Sequence, residues 1–361
     1  MKTLNLYVTK GFLLTFGMSI GILTFGMMGA RLVKIFDYIS QGIPISNFFL
    51  FTMYILPIVL TFTVPWAILV AIMLVFGRLS ADSEITAMRA CGVSILQIVS
   101  PILIITFLMT LLCLFLQVEV GPPWLGKSRS LLAATVINQP MAIFEPGRPI
   151  NYDNNIIYID DKVGKDELRD IQIFTMDDKD SVAQDITASK GKLMVDKEKQ
   201  LLTIVLFDCI VIDKKSDPEI RGFNKRVEFT INYGKELNRL RLGKRSKYMT
   251  MKELFGRIKI EKKLNRETCD LEVELNQRIA FALSPIAFLL LGLPLAIRTS
   301  RRETSVGLFL SVILAGAFFL SIILCESLES FPQIYPQYLL WIPNLLYQVT
   351  GAFMIYRIAK R

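Results

Sequence analysis

Six stretches of this chain contain no charged residue at all: 11–30, 38–77, 90–118, 279–297, 304–325 and 330–356. Each can supply the roughly 20 apolar residues that a helix needs to cross a bilayer. Of the 361 residues, 52% are hydrophobic and only 20% charged, a balance that excludes an ordinary soluble protein. The second stretch is too long for one helix. Gly42 and Pro44 are therefore expected in an outer loop, with a helix from about residue 48 to residue 77 that Pro57 and Pro65 kink. Lys2 and Lys10 before the first stretch also fit a signal peptide, but the run exceeds a typical apolar core and lacks an A-x-A site, which favours an uncleaved helix.

Charge is concentrated in the middle. Residues 121–272 hold 28 Lys/Arg and 24 Asp/Glu, so about a third of that segment is charged against a tenth of the remainder. A polar domain inserted into a membrane-spanning chain accounts for the contrast. Basic residues near helix ends are retained in the cytoplasm. With six spans, one side carries Lys2, Lys10, Arg78, Arg89, Arg298, Arg301, Arg302, Arg357, Lys360 and Arg361, while the other carries Arg31 and Lys34 in its short segments. Both termini are thus expected in the cytoplasm and the charged middle outside.

Within that middle the pattern becomes short and alternating: 155–160, 168–176, 191–195, 200–206, 208–213 and 226–232 read as strands. Asp153-Asn154, Gly164, Asp177-Asp178 and Asp217-Pro218 read as turns between them, at the spacing of an antiparallel sandwich or jelly roll. Thr250 with Glu253 forms a capping box at the head of a polar helix. The expected fold is an α-helical membrane protein with six transmembrane helices, three on each side of an inserted all-β domain of jelly-roll type. Its expected divisions are 1–120 (spans one to three), 121–249 (β domain), 250–274 (helical linker) and 275–361 (spans four to six).

Several chemistries are absent. The chain has no His, which removes His-dependent acid–base catalysis and His-containing zinc sites. Its five cysteines show no CxxC spacing and read as buried or free thiols. Gly121-Pro-Pro-Trp-Leu-Gly126-Lys127-Ser128 matches the P-loop expression, yet Pro122 and Pro123 offer no backbone N–H to a phosphate and a spanning helix precedes them. A proline-stiffened exit from span three, with Trp124 at the interface, is the expected form. Residues 78–93, RLSADSEITAMRACGV, are too polar to cross the membrane. A short surface-lying helix fits, with Ser80 or Asp82 as its cap and Asp82 and Glu84 favouring its N-terminal end; on physical grounds alone it is a connector.

The string Ser83-Glu-Ile-Thr-Ala-Met-Arg-Ala-Cys-Gly92 resembles the cytoplasmic signature of the lipopolysaccharide-transport permeases, the LptF/LptG family, in which S-E-[IL]-x-x-M-x-[AS]-x-G follows span two. Arg31-Leu-Val-Lys34, Val120-Gly-Pro-Pro-Trp124, and Pro285 with Leu293-Pro294-Leu295 add to the likeness, and Thr86 with Ala90-Cys91 looks closer to the F subunit than to the G subunit. The resemblance implies a non-enzymatic permease of an ABC exporter, without cofactor or metal. The implied partners are a second permease of the LptF/LptG type, a cytoplasmic LptB-like ATPase dimer, a periplasmic LptC- or LptA-like bridge protein, and lipopolysaccharide. It also implies that Asp82, Ser83, Glu84, Thr86, Met88 and Arg89 couple to the ATPase.

Arg31 and Lys34 stand three apart on one face near the outer end of span one. Snorkelling to lipid phosphates would explain them; the resemblance implies instead a grip on the phosphorylated sugar of lipopolysaccharide. Gly17-xxx-Gly21 permits close helix packing. The basic run 239–247 suits anionic lipid or a solvated face, and its outer location excludes nucleic acid. An ion-coupled transporter would need carboxylates within the spans, and an intramembrane protease a catalytic constellation; the charge-free runs contain neither. The remaining alternative, a mechanotransmitting ABC-type membrane subunit acting on another envelope substrate, usually carries its outer domain between spans one and two.

Overall fold

The computed structural model describes residues 2–40, 45–138, 147, 149–152, 155–163, 167–177, 182–196, 201–214, 220–232, 246–299 and 304–360. The chain forms two compact units. One comprises Met1–Lys34, Phe49–Ser128 and Arg245–Arg361, the other Ile35–Phe48 and Arg129–Lys244.

The helices, most of whose length lies in the first unit, are α1 (Lys2–Ser40), α2 (Ile45–Ala81), α3 (Glu84–Ala90), α4 (Ile95–Phe115), α5 (Gly121–Asn138), α6 (Met251–Lys263), α7 (Cys269–Thr299), α8 (Thr304–Ser327), α9 (Pro336–Leu339) and α10 (Trp341–Lys360). Among the described residues, six segments are long and apolar enough to cross a membrane: Thr3–Gly29, Phe48–Ala81, Ile95–Leu131, Cys269–Arg298, Val306–Ser327 and Pro336–Ile358. The second and fourth of these, α2 and α7, are the most buried and form the centre of the bundle. Ile68, Leu69, Ile72 and Phe76 of α2 share a core with Phe281, Phe288 and Leu293 of α7. Rings from α7, α8 and α10 close it, with Phe288 4.9 Å from Phe318 and Phe318 5.4 Å from Tyr347.

In apolar surroundings helices are held by close approach and by polar groups that find partners. Gly351 of α10 lies on the α7 backbone, where a Cβ would stand 2.4 Å from the Leu290 carbonyl. Gly292 similarly admits Leu69. Asn344 donates to the Ala280 carbonyl at 2.7 Å, and the Tyr347 hydroxyl to Leu314 at 2.9 Å. Prolines inside a span free the carbonyl four residues earlier. At two Ser-Pro steps the serine hydroxyl occupies that carbonyl: Ser100 donates to Gln97 ahead of Pro101, and Ser284 to Phe281 ahead of Pro285. Pro57 and Pro65 both lie inside α2, which runs unbroken from Ile45 to Ala81. Gly42 and Pro44 lie outside the described residues.

The first span packs least. Val8 and Phe12 are buried, but Leu14, Ile22 and Phe25 are exposed, and a Cβ on Gly17 or Gly21 would meet nothing. The small-residue spacing is therefore not used against the described residues of this chain. Further apolar surface lies on α4, α8 and α10, for example Phe107, Phe309 and Val349. Surface of this extent requires a non-aqueous environment or partner chains.

Span three ends as the prolines dictate. Leu116–Val120 form a π turn, and α5 begins at Gly121 with Pro122 and Pro123 in its first turn. The wider turn accommodates rings that would clash with an α-helical carbonyl. Trp124 packs edge-on against Tyr54, centroids 5.8 Å apart. The P-loop match is thus a helix preceded by a helix, with no phosphate-cradling loop. Thr250 and Glu253 do form the capping box, their reciprocal bonds measuring 3.4 and 3.1 Å. The segment 250–274 comprises α6, a turn through Asn265, and the first turns of α7.

The second unit contains one antiparallel sheet: β1 (Ile150–Tyr152), β2 (Asn155–Val163), β3 (Glu167–Met176), β4 (Val182–Asp196), β5 (Leu201–Asp213) and β6 (Ile220–Asn232), paired in sequential order. The described strands therefore form a meander, whereas a jelly roll built on Greek keys interleaves its strands. The expected turns at Asp153-Asn154, Gly164, Asp178 and Asp217-Pro218 lie outside the described residues.

Burial shows how one sheet covers its own face. In β5 the residues of the sheet's core cluster, Leu202, Ile204 and Leu206, alternate and then resume out of phase at Cys209, while Val205 is buried on the other face. In β3 the phase changes between Leu168 and Ile171, and in β4 between Ala188 and Gly191. The pairing register is unchanged across these points, but one opposed pair is skipped each time: Asp160 with Asp170, Asp170 with Ser189, Ser189 with Asp208, Asp208 with Lys225. These five exposed residues form a line across five strands, along which the sheet is creased. Bends of this kind turn strands through a corner. Asp170 and Asp208 have φ of 49° and 52°, a left-handed conformation that Asp tolerates better than most residues.

The crease brings the two halves of the inner face together, so Ile157, Ile171, Ile204 and Leu206 are fully buried. At the inner corner a Cβ on Gly191 would stand 2.3 Å from Ile171 Cδ1, so a larger residue there would force Ile171 to move.

Candidate functional site

The segment after α2 is shaped by three local signals. Ser83 adopts a left-handed conformation (φ 58°) and begins α3 without a side-chain cap. Neither Ser80 nor Asp82 caps the helix as expected: the Ser80 hydroxyl instead donates to the Ile297 carbonyl at 2.8 Å, fixing the end of α2 to the end of α7. Gly92, at φ 84°, stops α3 in the manner of a C-terminal glycine, and Val93 N–H returns to the Met88 carbonyl. Ser94 then caps α4 in a reciprocal box with Gln97.

This makes α3 a two-sided helix held against the bundle. Ile85 is buried in the core cluster, and Met88 packs against it half-buried. Asp82, Ser83, Thr86 and Arg89 are exposed. Glu84 is half-buried and accepts a hydrogen bond from the Tyr7 hydroxyl of α1 at 3.3 Å. The structure thus places Glu84, Thr86, Met88 and Arg89 on α3 and Asp82 and Ser83 in the turn that leads into it, and adds Tyr7, which the sequence reading did not single out. Arg31 and Lys34 fall within α1, but their side chains lie outside the described residues.

A second cluster lies at the opposite end of α7. Arg278 is only 2% exposed. Its Nε donates to Glu274 at 2.8 Å, Nη1 to the Met249 carbonyl at 2.7 Å and Nη2 to the Ser246 carbonyl at 3.0 Å. Beside it, Glu326 of α8 accepts from Lys247 and, at 2.8 Å, from Gln277. The hydrogen bond and charge of Glu326 hold the Lys247 ammonium above the ordinary lysine range, against the opposing effect of burial. Two cations and two carboxylates thereby balance around a pocket of about 220 Å³ floored by Phe62 and Phe281. The cluster fastens the returning chain at 246–250 to α7 and α8, and buried charge of this kind persists because every member is paired. Sequence reading missed it because these charges sit just outside the apolar runs. Among the described residues, no group of three His, Cys, Asp or Glu side chains is placed to hold a metal ion.

Among the described residues six segments are long and apolar enough to cross a membrane, and the antiparallel sheet falls between the third and fourth in chain order, the layout of a multi-pass membrane protein. The family profile described as lipopolysaccharide export system permease LptF/LptG matches residues 6–357, and the chain belongs to that family. No curated protein matches the sequence.

Proposed function

We propose that this chain is one of two permease subunits, of the F type by Thr86 and Ala90-Cys91, in an ABC exporter that draws lipopolysaccharide from the inner membrane. In this reading both termini and α3 face the cytoplasm, and the domain at 121–249 is periplasmic. The creased sheet serves as the jelly-roll-like domain that passes the lipid to a bridge protein. ATP is hydrolysed on a separate ATPase dimer, which engages Asp82, Ser83, Glu84, Thr86, Met88 and Arg89. The observation that carries the reading is the two-sided α3, anchored by Ile85 and presenting Thr86 and Arg89 outward. A short helix so held transmits displacement of a docked partner to α2 and α4, which continue from its ends.

Purification from the native membrane in mild detergent tests this. A cytoplasmic ATPase and a second permease should co-purify, and Glu84→Lys should weaken ATPase association on the order of tenfold while the protein still inserts. Full binding and transport by Glu84→Lys would reduce α3 to a connector. Arg31 and Lys34 are assigned to the phosphorylated headgroup, for which a guanidinium fork and an ammonium suit two phosphate oxygens. Photocrosslinking to lipopolysaccharide from position 31, at normal expression, should occur in the wild type and weaken with Lys34→Ala. Absence of the wild-type crosslink would end that assignment.

A further inference from the structure

Between α1 and α2, near the end of the bundle that carries α3, lies an open groove of about 520 Å³. Its apolar lining is made by Leu14 of α1 with Leu74 and Val75 of α2, and Gly11 of α1 lies beside them. Its rim is cationic: Lys10 and Arg78 line the same groove from the two helices, both are exposed, and neither forms an ion pair among the described residues. Tyr7, which also lines the groove, donates its hydroxyl to the Glu84 carboxylate.

Two cations above an apolar channel on a membrane-spanning bundle match one kind of occupant: a phosphate diester carrying acyl chains. A soluble anion would leave the channel unused, and a neutral lipid would leave the charges unmatched.

We propose that this groove binds an anionic phospholipid, its phosphate between Lys10 and Arg78 and one acyl chain along Leu14, Leu74 and Val75. That the lipid comes from the cytoplasmic leaflet rests on the orientation proposed above; the binding itself does not. Because Tyr7 joins the rim to Glu84, the bound headgroup stands beside the coupling helix.

The test is native mass spectrometry of the full-length protein released from nanodiscs of mixed phosphatidylglycerol and phosphatidylcholine. The wild type should retain phosphatidylglycerol selectively. Each cation near an anionic lipid surface is worth about fivefold in affinity, so Lys10→Gln with Arg78→Gln should lower retention about thirtyfold, and Lys10→Arg with Arg78→Lys should restore most of it. Leu14→Trp, which keeps both charges and fills the channel, should also abolish retention. Equal retention in the wild type and the double Gln variant overturns the proposal. So does displacement of the lipid by millimolar inorganic phosphate, or full retention by Leu14→Trp, either of which would make the groove a simple anion site. Labelling of Lys10→Cys with an impermeant maleimide supplies the separate arm: cation-dependent retention with labelling from the periplasmic side would leave the lipid site standing and overturn the orientation.

Discussion

Ser284 and Gly191 are residues whose neighbours decide what they must be. Ser284 is fully buried and occupies the Phe281 carbonyl that Pro285 leaves open. Ser284→Ala should cost about 1 kcal/mol in a detergent unfolding assay, since no water reaches that carbonyl. Substituting Pro285→Ala in the same chain should recover most of the loss by restoring the backbone bond. Gly191→Ala should cost about 1–3 kcal/mol through overpacking against Ile171, and Ile171→Val, which removes the contacting Cδ1, should rescue it. The thiols offer a check without mutation. Cys209 is buried in the sheet, and burial raises its pKa, so it stays protonated and shielded. Cys91 is exposed. Alkylation at neutral pH should modify Cys91 well before Cys209, and equal rates would contradict the creased sheet.

At the scale of elements, α7 is held on three sides, and its contact with α10 is the least forgiving. Gly351→Ala would drive a Cβ into the Leu290 backbone, which cannot swing aside as a side chain can, whereas Gly316→Ala meets open space. The first should lower the detergent melting temperature by several degrees and the second should leave it unchanged, read by tryptophan fluorescence. The six spans were legible because charge-free length is a one-dimensional property that no tertiary contact has to supply. The sheet was legible only in pieces, for an instructive reason. Residues 200–206 and 208–213 read as two strands because the alternation changes phase at Phe207-Asp208; they are one strand, β5, and the apparent break is the crease. The same phase change hid the first half of β4, so that only 191–195 was read as strand. The capping box at Thr250 was legible because both partners lie within four residues. Arg278 was not, because its acceptors at Met249 and Ser246 come from 29 and 32 residues away.

For the whole molecule, the proposed orientation fixes which surfaces face which compartment. In a chain lacking its other cysteines, native Cys91 should react with an impermeant maleimide only after the cytoplasmic side is opened, while Glu329→Cys should react in intact spheroplasts; the reverse pattern would invert the topology. Sequence placed the inserted domain in chain order and showed its crease only as a change of phase, and there the crease has a mechanical meaning. Five strands turning on one line act as the spine of an open book, with the pairing ladder interrupted along the fold and, on one page, by a register shift at Thr175-Met176. Opening the pages by about 10° moves the tip of a six-residue half-strand, about 20 Å long, by about 3.5 Å. If the sheet handles lipid as proposed, a small change of angle at Asp160, Asp170, Ser189, Asp208 and Lys225, where opposed residues are not paired, would widen the inner face while the pairs on either side stay made.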